Sequence, residues 1–525
     1  MSQEKHIKSR LSHPAWILVL AGVPLLVTLY AGPLFYDDAY ITFRYAENIA
    51  SGAGFVFNEG PVLGTTAPFY CLVLALAGFA GLHIPHAAFG LGVLTGALTP
   101  VLVWRLGHAA GREAAGLWGG LLLGFFPRWW LNANTGMETT LAGCFVLAVL
   151  IFHFRGKGLY AGLLSGLLVL TRPDTALLPV LVFAHLVAVD RKKSFAFAGG
   201  GIAALLPWTI YSFMTFGSPL PHSLAAKGLI HAYPWLLALR HYLDWFLSMS
   251  QPMGMAVFSA IWVLGAATVL REFRHAFIVV VWPVVFIAGL AMTEVGPFPW
   301  YHIPALPLFM FVVGMGIYAV YEGRGLASRI PLQYRRGACG FIAGAMVFLQ
   351  LFEVAPVLSN REKLAQLRDK EQKLKKAAEK IESIVDEEGP GSSRVKVLVG
   401  EVGVIGYELM DYHVIDSSGI NSPEVYEIRK SDWERLKSKH PDYGWQKKWS
   451  GSEKWVLELI DRYQPDFITS NVEYLHLRTL LDSPYFRDQY RPVGEWTFIE
   501  QGRKKVMVVL QEKRPRGVRD TEDFK

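Results

Sequence analysis

Two aspartates stand side by side at positions 37 and 38, in the stretch FYDDAYITFRYAENIASGAGFVFNEGPVLGTTAP (35–68), directly after an apolar run. Charge at the edge of hydrocarbon is costly, so such an acid is a functional candidate by default. Repulsion between adjacent carboxylates raises the pKa of one of them toward that of a useful general base. On an extended chain the two side chains would point to opposite faces, one toward a substrate and the other toward a partner such as Arg44. The plain alternative is a solvated loop pair with no chemistry.

Four further stretches carry polar groups of the right type. In TRPD (171–174), Arg172 could fork two hydrogen bonds onto a phosphate. Alternatively Pro173 and Asp174 open a helix and Arg172 reaches to the interface. Glu138 in GMETT is either functional or an ordinary first-turn helix acid. His222 and Lys227, in SPLPHSLAAK, are candidate ligands in a long loop, or plain surface residues. Trp300, Tyr301 and His302 suit a sugar or phosphate platform as well as an interfacial aromatic belt. His83 and His86 lack acidic company, so no metal is assigned to them. Gly400, Gly403 and Gly406 follow a strand pattern, but their spacing is not G-x-G-x-x-G and reads as a tight strand-to-helix turn.

The elements that must hold these groups are greasy. The chain has 525 residues, of which 52% are hydrophobic and only 18% charged, too apolar for a soluble protein of this length. We expect a polytopic α-helical membrane protein with about eleven crossings, at 15–35, 86–106, 114–130, 137–154, 158–171, 175–190, 195–216, 252–270, 276–293, 301–321 and 338–356. The N-terminal run has the layout of a signal peptide but no convincing small-residue cleavage site, and is read as an uncleaved anchor. Cys71, Cys144 and Cys339 lie inside apolar runs and suggest neither a disulfide nor a metal. The net charge of +7 gathers in short loops, so nucleic acid is not expected as a partner.

Sidedness turns on the short apolar piece 68–80. If it does not cross, the loops holding Arg105/Arg112, Arg155/Lys157, Arg191/Lys192/Lys193, Arg271/Arg274 and Arg324/Arg329/Arg335/Arg336 fall on one side with a cytoplasmic N-terminus. If it crosses, all of them fall outside, against the strong bias of Lys and Arg for the cytoplasm. It is therefore read as a re-entrant or juxtamembrane helix beside Asp37 and Asp38. Every stretch named above as chemistry then shares the extracytoplasmic face. Past Pro356 the composition becomes charged. A helix over 360–388 carries Leu364, Leu367, Leu374, Ile381 and Ile384 on one stripe. Strands at 395–399, around HVIDSSG, at 466–470 and over the last two apolar stretches follow. The expected organisation is a membrane domain at 1–356, an amphipathic linker at 357–391 and an extracytoplasmic α/β domain at 392–525.

With those residues in view, the chain resembles the GT-C class of integral-membrane glycosyltransferases, in particular an arabinofuranosyltransferase-like bacterial branch. The matching stretches are DDAYITFRYAENIASGAGFVFNEG with TTAP, GMETTLAG, TRPD and GSPLPHSLAAKG; GEVGVIGY, VIDSSGI and PDFI resemble tails of that group. The resemblance implies a multi-pass protein of the bacterial cytoplasmic (inner) membrane. It would move a sugar, a pentofuranose in that branch, from a polyprenyl-phosphate donor to a glycan, lipid or protein acceptor with inversion. Asp37 or Asp38, with Asp37 preferred, would be the base. Glu138 would position the acceptor or a divalent cation, the one cofactor left open. Arg172, Lys227 and His302 would meet the leaving phosphate, with Arg44, Asp174, His222 and Tyr301 lining the same site. The first loop departs from many relatives, reading GPVLGTTAP where they carry a longer polar run. The rival readings are a lipid-linked saccharide flippase, which would place charges in broken helices, and a noncatalytic envelope-assembly subunit.

Overall fold

The computed structural model describes residues 15–230, 234–247, 252–293, 298–324, 328–329, 331–358, 360–389, 394–439, 452–500 and 503–513. A helix stands over each of the eleven segments expected to cross. Among the described residues four helices are long and apolar enough to span a membrane: Ile84–Ala109, Arg191–Phe216, Arg274–Met292 and Ile303–Glu322. Ala15–Ala31, Thr139–Phe154, Gly158–Thr171 and Pro173–Val189 are shorter apolar helices. Pro68–Phe79 has 12 residues, or about 18 Å at 1.5 Å per residue, well short of the roughly 30 Å of a hydrocarbon core. It lies against the helix Asp37–Ala50, where Cys71 Sγ meets the Thr42 carbonyl at 3.8 Å.

Helix pairs come close where glycine removes the side chain. A Cβ on Gly162 would run into the Phe197 carbonyl, and one on Gly200 into that of Leu159. Gly265 and Gly316 seat in the same reciprocal way against Val312 and Ile261. Small residues at such seams let backbones touch, and packing replaces the hydrophobic effect that lipid denies to neighbouring helices.

The loops separate into two groups at opposite ends of the helices. At one end Arg112 lies 3.6 Å over the Phe273 ring, Arg324 pairs with Glu272, and the Lys193 side chain lies where a Cβ on Gly156 would meet it. These belong to the basic loops. At the other end Tyr36 N donates to Thr135 O at 3.1 Å, Tyr36 meets the Trp300 ring at 5.1 Å, and Arg172 reaches Glu138. The polar loops are thus together, apart from the basic ones.

The C-terminal part is a five-stranded sheet in the order β2-β1-β3-β5-β4, with β1 Lys396–Val399, β2 His413–Asp416, β3 Phe467–Asn471, β4 Tyr490–Glu500 and β5 Arg503–Glu512. β1 pairs in parallel with β2 and β3, while β5 runs antiparallel to β3 and β4. Alternation along β1 sends Val397 and Val399 to one face and Leu398 to the other. Leu398 packs with Trp455 and Ile460 from the helix Glu453–Tyr463. The opposite face joins a core that also holds Tyr40, Phe43, Tyr45, Cys71 and Leu74 of the membrane part.

The helix Arg361–Glu388 is capped by Asn360 Oδ1, which accepts from the N–H groups of Glu362 and Lys363. Its stripe buries Leu364, Leu374, Ile381 and Ile384, joined by Ala377 and Ala378. Leu367, expected on that stripe, is 52% exposed. The helix is not a free linker: Lys370 binds Glu500 at 2.6 Å and Glu388 accepts from Gln511 at 2.5 Å.

Candidate active site

Asp37 and Asp38 do not lie on an extended chain. They are the first two residues of the helix Asp37–Ala50, where an acid is favoured by the helix dipole. Successive helical positions are about 100° apart, so the two carboxylates address different neighbours. Asp37 accepts from the backbone N–H groups of Gly403 and Val404, at 3.1 and 2.8 Å. Burial raises its pKa, against the pull of Lys370 and these two N–H groups. Asp37, preferred as the base from sequence, is thus engaged by the first turn of the helix Val402–Glu408. Asp38 turns the other way. Its Oδ2 lies 3.8 Å from Lys227 Nζ, with 34% of its side chain exposed.

Around Asp38 stand the groups of four other loops. Arg172, buried where Gly158–Thr171 ends, donates from Nη1 to Glu138 at 2.9 Å and grips Asp174 from Nε and Nη2 at 3.1 and 2.5 Å. Its guanidinium carbon sits 5.5 Å over the Tyr301 ring. Burial pulls the Arg172 pKa down, but Asp174 and Glu138 more than restore it, so it stays charged. Burial raises the Glu138 carboxyl despite Arg172 beside it. Lys227, on the helix His222–Ile230, loses some basicity to burial and regains more from Tyr301 and Asp38, for a net rise. The result is a compact group of Asp38, Glu138, Arg172, Asp174, Lys227 and Tyr301, with two cations and three carboxylates.

Three candidates fall elsewhere. Arg44 is buried and pairs with neither aspartate. It donates to the carbonyls of Phe57, Leu409, Met410 and Tyr412 and to that of Gly406, and lies 4.5 Å over the Phe57 ring. Its donors satisfy the end of the helix Val402–Glu408 and the turn after it, which orders the two parts against each other. His222 faces away from Lys227 and meets the Gly419 carbonyl at 3.0 Å. His302 is fully buried 5.0 Å from the Tyr242 ring.

The Glu138 carboxylate is engaged by Arg172, and no group of three or more His, Cys, Asp or Glu that could hold a metal is found among the described residues. Sequence reasoning missed Lys370, Glu401 and the Gly403–Val404 amides as neighbours of Asp37. The glycine spacing at 400–406 was the one available signal, and its turn does bind an anion: the carboxylate of Asp37.

Comparisons with known proteins bear on the fold. Residues 365–512 match a family described as Domain of unknown function (DUF8728). No curated protein matches. Among solved structures, ArnT from Cupriavidus metallidurans bound to undecaprenyl phosphate aligns with a TM-score of 0.56 at 13% identity, covering 95% of this chain and 98% of that one. The Archaeoglobus fulgidus oligosaccharyltransferase tethered to an acceptor peptide aligns at 0.54 and 12% identity, over 94% and 74%. The arabinofuranosyltransferase AftD from Mycobacteria aligns at 0.50 and 14%, over 95% of this chain and 41% of that one. At such identities the likeness is one of fold.

Proposed function

We propose, for a chain built on the fold of the GT-C membrane glycosyltransferases, that it transfers a sugar from a polyprenyl-phosphate donor to a cell-envelope acceptor with inversion. The observation that carries this reading is the juxtaposition of Asp38 with Lys227, beside Arg172, Glu138 and Tyr301, at the end of the helix bundle away from the basic loops. The bias of Lys and Arg for the cytoplasm puts that end on the extracytoplasmic face. Nucleotide sugars are scarce there, which favours a donor carried on lipid.

Asp38 is the base. It takes the proton of the acceptor hydroxyl as that oxygen attacks the anomeric carbon from the side opposite the phosphate. The bond from the anomeric carbon to the phosphate oxygen breaks, and its electron pair stays with the lipid phosphate, which gains one negative charge. Lys227, held only loosely at 3.8 Å from Asp38, and Arg172, held tightly by two acids, are the cations that meet that charge. Because Arg172 is fixed before the reaction begins, it stabilises developing charge without reorganising. Tyr301, over Arg172, offers a ring face to the sugar. A pentofuranosyl donor is the first to try, on the resemblance of the first loop and the fold shared with AftD.

The test is to incubate the purified chain with a panel of polyprenyl-phosphate sugars and measure released polyprenyl phosphate. Release that vanishes in Asp38→Asn with normal folding supports the transferase and excludes a flippase or an assembly subunit. No release from any donor would sink it.

A further inference from the structure

We infer that the C-terminal domain, which matches a family of unknown function, is a clamp that sets the distance between Asp38 and Lys227, with Asp37 and His222 as its positioning residues. This rests on the reading of Asp38 and Lys227 as the reactive pair.

The domain grips both carriers of that pair. On one side, Asp37 is held by the Gly403 and Val404 amides. One turn on, Tyr40 donates to Glu371 at 2.6 Å, and a turn beyond that Arg44 is held by carbonyls of the 406–412 turn. The helix that begins with Asp38's neighbour is therefore fastened along its length. On the other side, His222, which opens the Lys227 helix, meets the Gly419 carbonyl at 3.0 Å and the Tyr426 ring at 5.3 Å. Tyr45 and Asn421 meet at 3.3 Å, tying the same domain loop back to the first helix.

These two grips cannot move independently. The 400–404 turn leaves the carboxyl end of β1 and the 417–422 loop leaves that of β2, and β1 and β2 are adjacent parallel strands in register, Val399 opposite Asp416. The second loop is itself stiff. Buried Asp416 accepts from the N–H and hydroxyl of Ser418 and from the N–H and amide of Asn421. Gly419 at φ +76° leaves no room for a side chain against Tyr426. The carboxyl edge of such a sheet is where open α/β folds usually take a ligand. Here it is occupied by Asp37 and His222 of the same chain, so the domain spends its binding edge on alignment.

The test uses the full chain in lipid nanodiscs with two variants. Gly403→Ala puts a methyl group into the Asp37 carbonyl, and His222→Ala removes the second grip. Amide hydrogen exchange should rise at 37–41 and at 222–230 in each, while 397–399 and 467–471 in the sheet stay protected. Turnover should fall about tenfold to a hundredfold, the scale of a misplacement near 1 Å, with KM for the donor within about twofold. His222→Gln, which keeps a donor for the Gly419 carbonyl, should recover part of the loss. Exchange confined to the mutated side, or a raised KM with kcat intact, would overturn the clamp, the latter making the domain a substrate-binding element. If the wild type turned over no donor while exchange still coupled 403 to 222–230, the transferase would fall and the mechanical link would stand.

Discussion

Asparagine at position 37 and at position 38 should have opposite consequences, although the residues are neighbours of the same type. Asp38→Asn removes the only proton acceptor assigned to the acceptor hydroxyl, and loss of a general base costs about 10²- to 10⁴-fold. Since the replacement is nearly isosteric at a side chain 34% exposed, the folded state should be little affected. Asp37→Asn keeps one oxygen for two backbone N–H groups now 3.1 and 2.8 Å from the carboxylate. It turns an amide donor toward the other. A hydrogen bond to a charged acceptor is worth roughly 1.5–3 kcal/mol, so this variant should lower the unfolding midpoint while retaining a measurable share of turnover. The assay is polyprenyl phosphate release under saturating donor, paired with a thermal melt in detergent. A dead Asp37→Asn with an unchanged melt, beside an active Asp38→Asn, would refute the division of roles.

Other perturbations probe separate parts of the design. Arg172→Met leaves Glu138 and Asp174 facing each other without their cation. Losing one partner of a buried pair costs about 3–5 kcal/mol, which a denaturation midpoint would show. Gly200→Leu drives a side chain into the Leu159 carbonyl and the helix Gly158–Thr171; overpacking of about 1–3 kcal/mol or more should appear as lost folded yield. Burial pushes Glu401 up to about 7, with Lys370 opposing and Asp37 and Glu500 adding to the rise. The unfolded chain titrates near 4.3, so protonated Glu401 favours the native state fully below that pH, and its contribution is lost as pH climbs to about 7. The slope is worth roughly 4 kcal/mol over that window, and Glu401→Gln should flatten it in melts taken from pH 4 to 8.

What could be read from the sequence followed from local rules. Apolar length located the helices, and the basic loops separated the two ends, because both depend on composition over a window. The 360–388 helix showed most of its stripe, with Leu367, left in solvent, breaking the pattern; its Asn360 cap was seen only in the structure. The cluster of Asp38, Glu138, Arg172, Asp174, Lys227 and Tyr301 was legible as a set of residue types in loops sharing one end. The partition between Asp37 and Asp38 was not. It is decided by amides 366 and 367 positions away, and nothing local to DDAY encodes them. Arg44 misled for the same reason: its partners are carbonyls, which every residue has. Residue type alone likewise did not reveal that His302 is fully buried beside Tyr242.

One apolar core runs from Tyr40, Phe43 and Leu74 through Ala377 and Ile381 to Val397, Val404 and Val509. The boundary between greasy and charged sequence is therefore no boundary in the solvent-excluded interior. A fragment cut in the 389–394 stretch would carry about a third of that interior into water as bare hydrocarbon, and the remnant in the bilayer would keep the rest. Dissecting this chain into a tractable soluble piece is ruled out by its own interior; the smallest unit that can be handled without stickiness includes the first helix after the anchor.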